Sequence, residues 1–170
     1  MSCIFYGAVA QLARAPALLD RLRWIFMIDT KIKGNVTEME SMLAFMKLGY
    51  QVSIPFGEDS RYDFVVDIND KLYKIQCKTC SEIIDNEEVV AIKFKTVRQS
   101  GSKATNWTRT KYEANEIDYF ATSYQGKCYL VPLSECSNEK TLRIKLPKNN
   151  QTKGISFLKD YELSEVLKTL

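Results

Sequence analysis

The sequence predicts an α/β or α+β domain in which at least one helix packs on a mixed β-sheet. A helical repeat of apolar residues precedes several short segments in which apolar and polar residues alternate. Turn-forming pairs such as Asn69-Asp70 and Gln125-Gly126 separate those segments. Apolar residues make up 45% of the 170 residues and charged residues 26%, as in a globular domain with its own core.

The first regular element is predicted to be a helix over residues 35–48. Asn35 can cap it, with Glu38 three residues further on as in a capping box, and Gly49 can end it. Four apolar residues recur at helical spacing and are expected to face the core: Val36, Met39, Leu43 and Met46.

The remaining elements are mostly short strands. Asn69-Asp70 is read as a tight turn that joins residues 62–68 and 71–78 into a hairpin. Residues 56–61 form a turn-rich loop, and residues 161–170 are read as a terminal helix. The other predicted strands are 51–55, 89–94, 118–124, 127–133 and an edge strand at 142–146.

Residues 1–26 differ in composition from residues 27–170, which we expect to form one domain. They are a poor secretory signal, because their start carries no positive charge and Arg14 interrupts the apolar stretch. Residues 7–16 resemble the translated product of a bacterial transfer-RNA gene, which makes Met27 a second candidate start. A genuine N-terminal arm and an organelle presequence are the alternatives.

The composition excludes several kinds of chemistry. Histidine is absent, which removes imidazole bases, histidine-bound zinc and histidine-dependent triads. The odd count of five cysteines favours reduced thiols in the cytoplasm over a secreted disulfide scaffold. The sequence holds no apolar run of the roughly 20 residues that a membrane helix needs. A net charge of +3 permits a nucleic-acid partner without requiring one.

Two helical glutamates have different surroundings. At roughly 100° per residue, Glu38 falls inside the apolar arc between Met42 and Phe45, whereas Glu40 points to solvent. A carboxylate on the buried side of a helix is costly unless it has a partner or a metal ion. Glu38 is therefore either part of the helix cap or part of a functional site.

Three polar side chains are predicted to share one face of the hairpin. Strand alternation places Gln76 and Lys78 on the same side, and the tight turn puts Asp63 opposite Gln76 or a near neighbour. The helix that carries Glu38 is expected to cover this face. The alternative is an ordinary hairpin whose polar side faces solvent.

This group suits phosphodiester hydrolysis. Mg²⁺ prefers oxygen ligands, which Asp63, the amide oxygen of Gln76 and the carbonyl of Cys77 could supply. Lys78 would hold or deprotonate the attacking water and stabilise charge on the phosphate. Glu38 would bind the metal through water or hold a second ion.

An ordered series of short motifs within residues 31–124 supports the same interpretation. The motifs are Lys33-Gly34-Asn35-Val36-Thr37-Glu38, Gly49-Tyr50, Ile54-Pro55-Phe56-Gly57, Ser60-Arg61-Tyr62-Asp63 and Ile75-Gln76-Cys77-Lys78. The series resembles the PD-(D/E)XK nuclease superfamily, and in particular its small branch of archaeal Holliday-junction resolvases and intron-encoded homing endonucleases.

The resemblance implies a restriction-endonuclease-like sheet flanked by helices. It also implies Glu38, Asp63, Gln76 and Lys78 as catalytic residues and Mg²⁺ as cofactor, with Mn²⁺ as a substitute. Many members carry glutamate where this sequence has Gln76, so tight binding of a second metal is in doubt.

A basic segment is expected to bind the substrate. Residues 93–111 hold six lysines and arginines and no acid, and Trp107 lies among them. A flexible basic loop with an aromatic residue suits phosphate and stacking contacts, and a solvated loop is the alternative. Tyr112 and Asp118 are expected to support the site. The residues predicted to contact DNA are Lys33, Ser60, Arg61, Arg98, Lys103, Trp107, Arg109 and Lys111.

The sequence therefore predicts a metal-dependent DNA endonuclease of homing or restriction-like type. A junction resolvase and a catalytically inactive nucleic-acid-binding module are the alternatives. One active site cuts one strand, so a homodimer or homotetramer on double-stranded DNA is expected.

Overall fold

The computed structural model describes residues 16–57, 59–100, 108–147 and 151–170, with only the backbone of residues 16–29 and Ser100. The chain divides into two compact units, residues 1–35 and 36–170. Within the described residues the first unit consists of the first part of one long helix, and every strand belongs to the second. No helix in the described ranges is long and apolar enough to cross a membrane.

The elements follow one another in a simple order. In the part of the chain that the structure describes, helix α1 (Pro16–Lys47) precedes ten strands, and a short helix α2 (Leu163–Val166) follows them. Single 3-10 turns occupy Leu133–Glu135, Leu158–Tyr161 and Leu167–Thr169. The strands are β1 (Gln51–Ser53), β2 (Phe64–Ile68), β3 (Lys71–Cys77), β4 (Ser81–Asp85), β5 (Glu88–Lys95), β6 (Val97–Ser100), β7 (Thr108–Lys111), β8 (Tyr119–Tyr124), β9 (Lys127–Pro132) and β10 (Glu139–Arg143).

Five strands form a mixed central sheet in the order β1-β2-β3-β8-β9. The β3–β8 pair is parallel, and the other neighbours are antiparallel. A two-residue turn joins β2 to β3, with positive φ angles of 54° at Asn69 and 62° at Asp70. The register pairs Phe64 with Ile75, which places Asp63 level with Gln76. This turn thereby sets the geometry of the predicted site.

The central sheet is covered on both faces. On one face, Phe45 of α1 packs against Phe64 with ring centroids 5.8 Å apart, and α2 contributes Leu163 to the same core. On the other face lies a second sheet with the order β10-β5-β4, and Phe94 of that sheet packs against Phe120 of β8. Strands β6 and β7 form a separate two-stranded ribbon.

The long helix differs from its predicted form. It begins at Pro16 rather than Asn35, so Asn35 and Glu38 lie within the helix and the capping-box interpretation was wrong. Residues 17–35 include no proline, and a single interior glycine such as Gly34 costs only about 1 kcal/mol.

The predicted core face of this helix was also wrong. The apolar residues Val36, Met39, Leu43 and Met46 are exposed, with Met39 at 66% of its full exposure. Thr37, Ser41 and Phe45 are buried instead. Burial of the two hydroxyls is possible because each has a partner: Ser41 donates to the Thr37 carbonyl at 2.7 Å, and Thr37 shares a hydrogen bond of 3.2 Å with the Thr79 hydroxyl.

Several strand boundaries differ as well. Strand β4 was not predicted, because its sequence is polar and its turn at Asn86-Glu87 contains no glycine. The strand expected at 142–146 is β10 at Glu139–Arg143, paired along β5. The terminal helix expected over 161–170 is reduced to α2 between two 3-10 turns.

The rotated helix face leads to a stability prediction. Phe45→Ala should lower the free energy of unfolding by about 3–5 kcal/mol, because it opens a cavity between α1 and the central sheet. Met39→Ala, on the exposed side of the same helix, should change it by no more than about 0.5 kcal/mol. Urea unfolding of both variants measures this change. An equal loss of unfolding free energy in the two variants would show that Met39 belongs to the core.

Candidate active site

The predicted site residues meet at one end of the central sheet. Asp63 directly precedes β2, Gln76 lies in β3, and Lys78 directly follows β3. Their strand neighbours Phe64, Ile75 and Cys77 belong to the core on the α1 side. By alternation, Asp63, Gln76 and Lys78 face the second sheet. The expectation that the Glu38 helix covers this face was therefore wrong, since α1 packs on the opposite face.

The Asp63 carboxylate is held by the returning strand. Its Oδ2 accepts a hydrogen bond from the Gln76 amide nitrogen at 2.6 Å and another from the Cys77 backbone nitrogen at 2.6 Å. The backbone nitrogen of Asp63 donates to the Ile75 carbonyl at 2.9 Å. Burial raises the pKa of Asp63 above its usual range, although these bonds and the charge of Lys78 partly oppose that rise.

The Lys78 ammonium is positioned by an aromatic residue. It donates to the Tyr112 hydroxyl at 3.1 Å and lies 5.1 Å from the centroid of the Tyr112 ring. Tyr112 directly follows β7 and packs edge-to-face on Phe120 at 5.4 Å. The tyrosine therefore ties Lys78 both to the core and to the end of the β6–β7 ribbon.

Glu38 lies half-buried beside this group. Burial, followed by the negative charge of Asp63, raises the pKa of the Glu38 carboxyl. Within the described residues, Glu38 makes no hydrogen bond. The contact between the adjacent Thr37 and Thr79 joins this turn of α1 to the segment that follows Lys78. Glu40, predicted to be a solvated charge, is exposed but accepts a hydrogen bond from Ser123.

The oxygen atoms at this site suit a hard divalent cation. The Gln76 amide nitrogen lies 2.6 Å from Asp63 Oδ2 and 3.3 Å from the Cys77 carbonyl oxygen, so both oxygens face the same point. A half turn of the amide would present its oxygen at the same place. Asp63 Oδ1 accepts no hydrogen bond from a described residue, and a cation would relieve the repulsion between Asp63 and Glu38.

The donor set favours Mg²⁺ over zinc. Among the residues that the structure describes, no group of three or more histidine, cysteine or acidic side chains is placed to bind a metal. An ion here would rely on two carboxylates, a backbone carbonyl, an amide oxygen and water, the ligands that Mg²⁺ accepts while keeping part of its hydration. The residues present therefore fit the predicted cofactor.

The predicted DNA-binding residues fall in separate places. Ser60 and Arg61 are exposed in the loop before Asp63, and Arg61 pairs with Glu116 at 3.3 Å. Lys103 and Trp107 lie outside the described residues, and Lys33 belongs to the first unit.

The segment predicted to be a flexible loop forms strands in its described parts. Cross-strand pairing places Arg109 and Lys111 on one face of the β6–β7 ribbon and Arg98 on the other.

A cleft beside Lys78 includes Lys93 and Lys95, which belong to the basic segment 93–111 but not to the residues individually predicted to contact DNA. It encloses about 270 Å³ and is lined by Lys78, Thr79, Ser81, Lys93, Phe94, Lys95 and Glu139. Alternation of Lys93 and Lys95 with buried Phe94 is the sequence signal that would have placed both lysines on one outward face. A larger cleft of about 620 Å³, bordered by β9, β10 and the 3-10 turn at Leu158–Tyr161, has none of the four predicted catalytic residues among its described lining residues.

A mixed sheet flanked by helices, with polar side chains gathered at the ends of two neighbouring strands, is the architecture of the restriction-endonuclease-like nucleases. The chain belongs to the PD-(D/E)XK endonuclease family, whose profile matches residues 28–164. It is therefore a member of a nuclease family.

The fold is also similar to a solved structure, that of a bacterial homing endonuclease, I-Ssp6803I. The TM-score is 0.64 at 20% sequence identity, covering 82% of this chain and 94% of that one. No curated protein matches the sequence.

The raised pKa of Asp63 predicts that this residue lowers stability. Because its folded pKa lies above its unfolded value, the folded state binds more protons between the two values, and stability falls as pH rises through that window. In EDTA, Asp63→Asn should raise the free energy of unfolding at about pH 7.5, on the order of 1 kcal/mol. The gain should shrink at about pH 4.5, nearer the usual carboxyl range.

Asp67→Asn, a substitution of the same kind on β2, is the matched control for thermal unfolding at both pH values. A wild-type protein more stable than Asp63→Asn at neutral pH would contradict the predicted cost of this carboxylate.

Proposed function

We propose that this nuclease is a divalent-metal-dependent DNA endonuclease that hydrolyses phosphodiester bonds, with Glu38, Asp63, Gln76 and Lys78 at its catalytic centre. The observation that supports this best is the convergence of Asp63 Oδ2 and the Cys77 carbonyl on the Gln76 amide, next to the Lys78 ammonium. Both strands present oxygen ligands to one point, and a cation there would lie between two carboxylates.

Each residue has a defined part in the proposed mechanism. Asp63, the Cys77 carbonyl and the Gln76 amide oxygen would hold the ion. When bound, Mg²⁺, or Mn²⁺ in its place, would neutralise phosphate charge and increase the acidity of water. Lys78, fixed by the Tyr112 hydroxyl, would donate to a phosphate oxygen or orient the attacking water. Glu38, without a hydrogen bond to any described residue, is free to accept one from water.

The β6–β7 ribbon supplies a surface for duplex DNA. The major groove of B-form DNA is wide enough to admit a two-stranded β-ribbon. Arg109 and Lys111 on one face and Arg98 on the other would reach phosphates on either wall of the groove. The hydrogen bond between Lys78 and Tyr112, which directly follows β7, supports a DNA contact of the ribbon close to the proposed chemistry.

The finer type of enzyme is a proposal as well. The relative of known structure is a homing endonuclease, which favours a homing or restriction-like enzyme over a junction resolvase. The described residues of each chain form one such site, so cutting both strands would require a homodimer or homotetramer. Conversely, a catalytically inactive binding module would keep the fold without needing a metal.

Metal binding and cleavage can be tested together. Mg²⁺ at about 100 times its dissociation constant should stabilise the wild-type protein by about 2.7 kcal/mol, and Asp63→Ala should abolish this shift. Asp63→Ala and Lys78→Ala should each lower the cleavage rate at least about a hundredfold, and Asp63→Ala should leave DNA affinity in EDTA largely intact.

Cleavage should be measured on linear duplex DNA and on a four-way junction, with Mg²⁺ and with EDTA. Preferential cutting of the junction would select the resolvase alternative. Binding without cutting, together with the absence of a Mg²⁺ shift, would select the inactive module.

The ribbon can be tested by the salt dependence of DNA binding. Arg109→Ala should weaken binding and reduce the slope of log affinity against log salt by about 0.9, because one phosphate contact is lost. Lys168→Ala, an exposed lysine near the C-terminus, is the matched control and should leave the slope unchanged. An unaltered slope in Arg109→Ala would remove this residue from the interface.

A further inference from the structure

Two lysines that the proposed mechanism does not use project from the second sheet. Lys93 and Lys95 are exposed on β5, and the buried Phe94 lies between them, so both side chains point outward on one face. Cross-strand pairing places the Ser81 and Thr141 residues on either side of Lys93, and Glu139 next to Lys95. Within the described residues, neither lysine forms an ion pair.

A cleft joins these two lysines to the proposed catalytic centre. It encloses about 270 Å³, and its lining includes Lys93 and Lys95 together with Lys78 and Thr79. Three ammonium groups therefore border one cleft, and Glu139 is the single acid among the described residues that line it. Such a concentration of positive charge attracts a polyanion.

We infer that this cleft binds the phosphodiester backbone of the strand being cut, beyond the phosphate that meets Lys78. Because Lys93 and Lys95 are two residues apart on one strand, their Cα atoms are separated by about 6.7 Å. This distance is comparable with the spacing of neighbouring phosphates along one nucleic-acid strand. Ser81 also lines the cleft, where its hydroxyl donates to the Lys93 carbonyl at 3.4 Å and could turn to a phosphate oxygen, a contact that serine hydroxyls commonly make. The inference rests on the proposed function and adds the path of one strand to it.

The neighbours of Lys93 and Lys95 predict that the two lysines contribute unequally to DNA affinity. Lys93 has hydroxyl-bearing neighbours on both adjacent strands, whereas Lys95 is paired with Glu139 on the neighbouring strand β10. The negative charge of Glu139 reduces the attraction of a phosphate to Lys95. Lys93 is accordingly the stronger anchor, and Glu139→Gln should increase affinity for DNA.

The test compares the full-length wild-type chain with Lys93→Ala/Lys95→Ala in binding a labelled duplex DNA of mixed sequence in EDTA, across a range of salt concentrations. Loss of two phosphate contacts should reduce the slope of log affinity against log salt by about 1.8. Lys93→Arg/Lys95→Arg should restore the slope, because the charge is retained. Lys71→Ala is the matched control, since this exposed lysine lies at the other end of β3, about 23 Å from Lys78.

The outcomes separate this inference from the function it rests on. A wild-type chain that neither binds nor cuts DNA would refute the proposed function. A wild-type chain that binds and cuts, combined with an unchanged slope and cleavage rate in the double alanine variant, would overturn the cleft alone. If the alanine variant melts early, Lys93→Gln/Lys95→Gln removes the charge while keeping a polar side chain with part of the aliphatic stem, and gives the same comparison.

Discussion

The site depends on the hydrogen bonds that bring the Asp63 carboxylate onto the strand returning from the β2–β3 turn. Oδ2 accepts from both the side chain of Gln76 and the backbone of Cys77, so the carboxylate and the Cys77 carbonyl are fixed relative to each other by a two-residue turn. These bonds only partly oppose the desolvation that raises the Asp63 pKa. Proximity to Glu38 adds repulsion between like charges. The arrangement therefore stores unfavourable electrostatics at a point where a cation would release them.

Glutamine at position 76 changes the electrostatics around the Asp63 carboxylate. A glutamate there would place a second negative charge within hydrogen-bonding distance of Asp63, and the two groups would repel each other. The amide instead donates to Asp63 and can still offer its oxygen. Compared with glutamate, glutamine gives the site one negatively charged ligand fewer, which favours a single metal ion in the proposed mechanism.

The sequence predicted the strand-based half of this site well and the helix-based half less well. Alternation along β2 and β3 and the Asn69-Asp70 turn depend on local backbone geometry, so the relative placement of Asp63 and Gln76 followed from them. The buried face of α1 did not follow. Thr37 and Ser41 are buried because their hydroxyls find partners on Thr79 and on the helix backbone, whereas an apolar stripe was assumed to face the core. Hydrophobic periodicity within the helix gives no information about a partner such as Thr79, which lies in the distant segment between β3 and β4.

The β6–β7 ribbon was missed for a related reason. Its strands are polar and exposed, so no period of two in hydrophobicity marks them. Tyr112 was expected to have a supporting role, but its actual contact with Lys78 depends on the distant Phe120, which holds the ring in place. In the proposed mechanism, one tyrosine thus connects DNA binding by the ribbon with the ammonium that acts on the phosphate.

The proposed mechanism depends on the position of a metal ion, which anomalous diffraction from crystals soaked in Mn²⁺ would reveal. We expect a peak at about 2.0–2.3 Å from an Asp63 carboxylate oxygen and the Cys77 carbonyl oxygen, with the Gln76 amide oxygen turned toward it. A fully occupied Mn²⁺ site elsewhere on the chain, with the Gln76 amide nitrogen still bonded to Asp63, would contradict it.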